Sequence, residues 1–432
     1  MSLYSSGSIK TRFFEPVHQD QNTVEYNLDN ETAYYSDLKL INLGTHRTAS
    51  DPYSDAAGCY GKIRAIHLLS NGQKLDSLRD ANRYLAFLNS LPHPSEQSSL
   101  VCNEAKCKYS LTVSSVKQEL DHRKASPSSA AADAVGVRAR ANGALSLKTV
   151  FPVLSEMVHL NTSLMKNIKI RVEFETRPER VVTANTNVAN QADPVPLLVA
   201  DQIINESLVS ELDKAYSSPV VWNSIEHDQI GVDGAAGIAS GAKIVQSSSK
   251  KLLGFNDKFL SRVLVIKQNA TIAKDVAGNA TVGYGTYASP VQYLEKLNCR
   301  LNGKNMFVGA GLDTPAKMTM MCADTWGSST MAQGDDRTSI GIQNDMDAAA
   351  ATRYQGMRTK VGNKVNPKVG QCGYIGFAIV DKVQDLQLDY ERVNLNDTDV
   401  RDRYNNPLVL HVFAEVRKMM KVDRSGFRVS YM

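Results

Sequence analysis

Ile63-Arg-Ala-Ile-His-Leu-Leu-Ser-Asn-Gly-Gln-Lys-Leu75 has a second copy 231 residues further on, Leu294-Glu-Lys-Leu-Asn-Cys-Arg-Leu-Asn-Gly-Lys-Asn-Met306. Apolar residues fall at matching offsets (Ile63 and Leu294, Ile66 and Leu297, Leu68 and Cys299), followed by Asn-Gly and another apolar residue. Asn-Gly between apolar runs predicts a β-hairpin, because a type I′ turn needs φ > 0 at both central residues. Each copy is followed by a ladder in which apolar and polar residues alternate. These are Ile168-Lys-Ile-Arg-Val-Glu-Phe-Glu175 in the first half and Leu386-Gln-Leu-Asp-Tyr-Glu391 in the second. A β unit that recurs at this distance predicts two similar β domains in tandem.

The remaining pattern agrees with an all-β chain. Tyr374–Val380 is a buried-type apolar run, Leu408, Leu410, Val412, Ala414 and Val416 share one face, and Phe427–Tyr431 alternates. Further strands are expected at 144–150, 157–159, 197–208 and 259–267. Helix is expected only in connections: over 76–88, where apolar residues recur at helical spacing, and briefly at 345–351. The small, polar stretch 125–144 and the Gly/Ala/Thr-rich 277–287 read as long loops. The organisation this predicts is an arm or first strands over 1–55, a β domain over 56–230, a linker over 231–255 and a second β domain over 256–432.

Length supports two domains, since 432 residues exceed what one core usually organises. A net charge of +4, with acids and bases interleaved, does not mark a dedicated nucleic-acid binder. The opening residues lack the pattern of a secretory signal peptide, and no stretch approaches 18 consecutive apolar residues. Cysteines 59, 102, 107, 299, 322 and 372 form no disulfide framework or zinc spacing and are expected to be free thiols.

Chemistry-bearing motifs are missing. The eight histidines (18, 46, 67, 93, 122, 159, 227 and 411) show no paired-ligand spacing, and His67 and His411 read as sheet-surface positions. There is no Gly-x-Ser-x-Gly elbow and no phosphate loop. Val308-Gly-Ala-Gly311 lacks the third glycine of a dinucleotide fingerprint, and Asp335-Asp-Arg337 and Asp345-x-Asp347 lack a calcium loop. The sequence therefore assigns no catalytic, cofactor-binding or metal-binding residue, and no cofactor or small-molecule substrate. Arg417, Lys418, Lys421, Arg424 and Arg428 oppose only Glu415 and Asp423, a solvated sheet face or a contact to a subunit or internal acid.

Four stretches carry a resemblance: the Asn71-Gly72 hairpin and helix, Leu147–Leu154 with the ladder after it, the second copy from Leu294, and the closing strands from Leu408. Together they resemble the double jelly-roll major capsid proteins of tailless icosahedral double-stranded DNA viruses, of the Polinton, adintovirus and virophage kind. The resemblance implies two eight-stranded sandwiches side by side, and a homotrimer of pseudo-hexagonal outline that tiles a shell around the genome. It further implies penton and minor capsid proteins as partners, an internal membrane or the genome as contacts, and a virion location after synthesis inside the host cell. The alternative reading is a secreted or surface carbohydrate-binding β-sandwich, which needs an exposed aromatic platform that two tryptophans (222 and 326) support poorly.

Overall fold

The computed structural model describes residues 9–28, 33–45, 58–88, 141–176 (without 158 and 163), 195–205, 218–233, 243–269, 294–326 (without 295), 374–395 and 407–432 (without 424–425), with a few isolated short pieces. Residues 125–140 of the loop expected over 125–144, the helix at 345–351, the two acidic clusters and cysteines 102, 107 and 372 lie outside the described residues; 141–144 are not loop but open the strand Ala141–Ser146.

Eight principal strands build the first half: β1 (Ile9–Phe14), β2 (Thr23–Asn27), β3 (Tyr34–Thr45), β4 (Ile63–Ser70), β5 (Gln73–Arg79), β6 (Ala141–Ser146), β7 (Lys169–Phe174) and β8 (Leu197–Ile203), with two-residue strands at His18–Gln19 and Leu160–Asn161 added beside β2 and β3. Between β5 and β6 lies helix α1 (Ala81–Leu88). The second half repeats this with β9 (Val220–Val232), β10 (Lys243–Lys251), β11 (Phe259–Asn269), β12 (Lys296–Leu301), β13 (Lys304–Asn305), helix α2 (Pro315–Trp326), β14 (Tyr374–Lys382), β15 (Leu386–Leu395) and β16 (Leu408–Asp423). A last strand, β17 (Gly426–Tyr431), hairpins back on β16.

The sheet orders reveal the duplication. In the first half they are β1-β8-β3-β6 and β2-β7-β4-β5; in the second, β9-β16-β11-β14 and β10-β15-β12-β13. Adding eight to each label converts one pair of sheets into the other, and each half has its helix after the fifth strand. All these pairings are antiparallel, and each lies within one half.

The two sequence copies occupy equivalent places. Asn71 and Gly72 have φ of 49° and 75°, Asn302 and Gly303 of 51° and 79°, as a type I′ turn requires. Ile63, Ile66, Leu68, Leu294, Leu297 and Cys299 are all fully buried; Ile66 with Leu68 and Leu297 with Cys299 are alternate strand residues that point into the sandwich, while an irregularity after Ile63 turns that residue inward as well and Leu294 lies just before its strand. Their core pairs also correspond: Ile66 faces Val172 and Leu68 faces Ile170, while Leu297 faces Tyr390 and Cys299 faces Leu388. In each turn the Asn N–H bonds a carbonyl just before the following ladder, Lys166 at 3.0 Å and Asp385 at 2.8 Å.

Several expectations need correction. The helix expected over 76–88 begins only at Ala81, since 73–79 pairs with β4 as a strand. Of the strand expected at 157–159, the described residues Met157 and His159 lie in no strand; a helical turn at Val153–Glu156 precedes a two-residue bridge at Leu160–Asn161. The segment 231–255 is no linker, because β10 within it pairs residue for residue with β15, and β9 before it belongs to the second half. Nor do residues 1–55 form a separate arm: their described strands enter both sheets of the first half. Helix α2 lies outside the two stretches, 76–88 and 345–351, where helix is expected.

Candidate functional site

The two halves meet along a seam built on α1. Seven of its eight residues are buried, because this helix has a neighbour on nearly every side. Tyr84 packs on Phe413 and Trp326 with ring centroids 5.5 and 6.2 Å apart, and Phe87 on Trp326 and Tyr374 at 5.3 and 5.0 Å. Tyr84 and Phe413 are tilted, and the other three pairs are edge-to-face, an arrangement favourable beyond its buried area. Trp326 ends α2 and sits against Gly376 of β14, where a Cβ would stand 2.6 Å from its ring. Arg262 covers the Trp326 ring at 4.2 Å and forms a two-bonded pair with Glu415.

Polar contacts flank this aromatic plug on both sides. On one, Asp76 of β5 accepts from Ser224 Oγ at 2.5 Å, and Lys418 Nζ donates to the same hydroxyl at 3.1 Å. Lys418 also pairs with Glu226 at 2.9 Å, and Lys258 does so at 2.6 Å. Burial pushes the Asp76 carboxyl up to about 6, against the hydrogen bonds and the Lys418 charge. Glu226 is also desolvated, but Lys418 and Lys258 outweigh that and hold it below its ordinary range. Lys418 thus meets an internal acidic partner and is not part of a solvated face.

On the other side, Asp80 takes a left-handed conformation (φ 50°) at the corner between β5 and α1. Its Oδ1 accepts from Arg83 Nη1, whose Nε donates to Gln268 Oε1 at 2.7 Å, and its Oδ2 stands 3.1 Å from His227 Nδ1. His227 Nε2 lies 3.0 Å from His411 Nδ1. On paired strands His227 faces Phe413 and Gln229 faces His411, so the two imidazoles are diagonal neighbours on one sheet face. Burial lowers the pKa of His227 to about 4, even with Asp80 beside it, and holds His411 well below the ordinary histidine value. His411 is 3% exposed, so the sheet-surface expectation for it fails: the first half covers that face.

Both imidazoles border a polar cleft of about 980 Å³ between the halves. Arg64, His67, Lys74, Arg79, Arg171 and Glu173 also line it. Here the charged face of β7 finds partners in its own chain: Arg171 lies 3.7 Å from Glu25 and 3.5 Å from Glu173, which is 3.5 Å from His67. Sequence reasoning missed the Asp80, His227 and His411 grouping, since 184 residues separate the histidines. Val308–Gly311 is a loop, with Gly309 and Gly311 at positive φ, and Cys59, Cys299 and Cys322 are buried and outside any disulfide.

No protein-family model and no curated protein matches the chain. Solved structures do. PBCV-1 VP54, as fitted into a cryo-EM reconstruction of the virophage Sputnik, superposes with a TM-score of 0.53 at 10% identity, covering 100% of this chain and 99% of that one. The mavirus major capsid protein gives 0.52 at 11% identity, covering 99% and 90%. The PBCV-1 virus capsid gives 0.51 at 10% identity, covering 100% and 99%. At these identities the likeness is one of fold, and together with the strand orders it makes the chain a double jelly roll.

Proposed function

We propose that this chain is a major capsid protein of an icosahedral double-stranded DNA virus. The observation that carries this reading is the duplication itself: eight strands and a helix repeated in one order, with full-length likeness in fold to capsid structures. Two similar sandwiches let three chains imitate six, so a homotrimer of pseudo-hexagonal outline fills a hexagonal lattice. The domains of that arrangement are residues 9–203 and 220–432, and their lateral faces meet neighbouring copies. Obligate contacts of this kind commonly bury more than about 2,000 Å². Penton and minor capsid proteins, with the genome or an internal membrane, complete the partners, and the virion is its place. Its role is structural and not catalytic. The carbohydrate-binding reading is not favoured, because Trp222 and Trp326 are both buried and cannot form an exposed platform.

Light scattering after size exclusion tests the reading. A particle of three 47.4 kDa chains, or shells under the electron microscope, is the expected result. A monomer under every salt condition overturns it.

A further inference from the structure

We infer that Asp80, His227 and His411 form a binding site for a divalent transition-metal ion of the zinc class, and that the ion staples the two jelly rolls together. Each residue offers one ligand atom, and the three atoms all lie within 4.8 Å of one another. Neighbouring ligands of a tetrahedral zinc ion, with bonds of about 2.0–2.1 Å, stand roughly 3.3 Å apart. The 3.1 Å between Asp80 Oδ2 and His227 Nδ1 is close to that spacing. Two imidazoles with one carboxylate suit zinc, nickel or cobalt and do not suit calcium or magnesium, which take oxygen ligands.

The surroundings supply what such a site needs. Asp80 comes from the first half, while His227 and His411 come from paired strands of the second, so an ion bound by all three bridges the seam. Arg83 holds Asp80 Oδ1 and leaves Oδ2 towards His227, the kind of outer contact that fixes a ligating carboxylate. The adjoining cleft provides an entry path and a fourth position for water. Arg83 and Arg79 place positive charge nearby and weaken the affinity; Asp228 acts the other way. Binding breaks the contacts that His227 makes with Asp80 and His411, and each of the three residues then gives one ligand atom to the ion.

The full chain, stripped with a chelator, is titrated calorimetrically with zinc chloride, and the loaded protein is measured by X-ray absorption at the zinc edge. One ion per chain is expected, in a nitrogen and oxygen shell at about 2.0–2.1 Å that includes two imidazoles. His227→Gln and His411→Gln should each lower the affinity by more than the about 10–100-fold that loss of an outer partner costs. His67→Gln, in the same cleft, should leave it unchanged. No zinc binding, a sulfur shell at about 2.3 Å, or equal weakening by all three variants overturns the inference. Should the seam variants fail to fold, the absorption spectrum of the unaltered protein decides. The stoichiometry is counted per chain, so a negative result leaves the trimer reading untouched.

Discussion

The two jelly rolls share a strand plan, yet their helices do different work. Helix α2 packs along β14 of its own half through Trp326 and Gly376, and meets the first half where Trp326, its last residue, touches Tyr84 and Phe87. Helix α1, at the equivalent place, reaches across to Tyr374 and Phe413 of the other half. The fifth strands differ as well: β5 has seven residues and β13 two. The longer strand carries Asp76 into the seam and ends beside Asp80. Duplication therefore supplied two equal frames, and the connection after the fifth strand turned one of them into the joint.

The comparison breaks most visibly at Phe87. Phe87→Ala removes a fully buried ring from the joint and should cost about 3–5 kcal/mol. Scanning calorimetry should then show two transitions where the parent shows one. Met318→Ala, in α2, should lower the single transition without splitting it, and an unsplit profile for Phe87→Ala would defeat the assignment of α1 as the joint.

Asp76 sharpens it through pH. Its pKa is raised from 3.8 to about 6, so its contribution to stability is present below about 3.8 and is lost as pH rises through 6. Asp76→Asn cannot ionise. Its stability relative to the parent should improve by about 2–3 kcal/mol between pH 4 and pH 7. Urea titrations at both pH values measure this, and a constant difference would refute it.

Gly376→Ala forces a methyl against the Trp326 ring and the Cys322 backbone, and should cost about 2 kcal/mol, read as a lower denaturation midpoint. The smallest effects belong to the turns. Gly72 and Gly303 sit at φ of 75° and 79° in open space, so alanine at either meets only backbone strain, about 1 kcal/mol. Equal midpoint shifts support the equivalence of the hairpins, and a large difference would separate them.

Where one sheet face is buried and the other wet, the fold was legible. The hairpins, the ladders at 168–175 and 386–391, and the closing strands all alternate cleanly. Strand β9 escaped because its alternation is broken by Ser224, Glu226, His227 and Asp228: Ser224 and His227 find partners across the seam in Asp76 and Asp80, and Glu226 and Asp228 find theirs within the second half. Strand β10 is an edge strand whose serines and lysines read as loop, since only one neighbour holds it. Helix α2 did carry a signal: Thr314 accepts from the Lys317 N–H at 3.3 Å and Pro315 fills the first helical position. The Asp80, His227 and His411 grouping carried none, because strand pairing, and not sequence spacing, brings it together.

The joint also has a history within each molecule's synthesis. Tyr84 and Phe87 leave the ribosome long before Phe413, the partner that closes over Tyr84. At about 5–20 residues per second, tens of seconds pass between those events. During that interval the first jelly roll has its strands in hand but an apolar helix without its cover. A nascent chain stalled near residue 205 should therefore bind hydrophobic dyes and chaperones, and lose both when translation reaches the last strands.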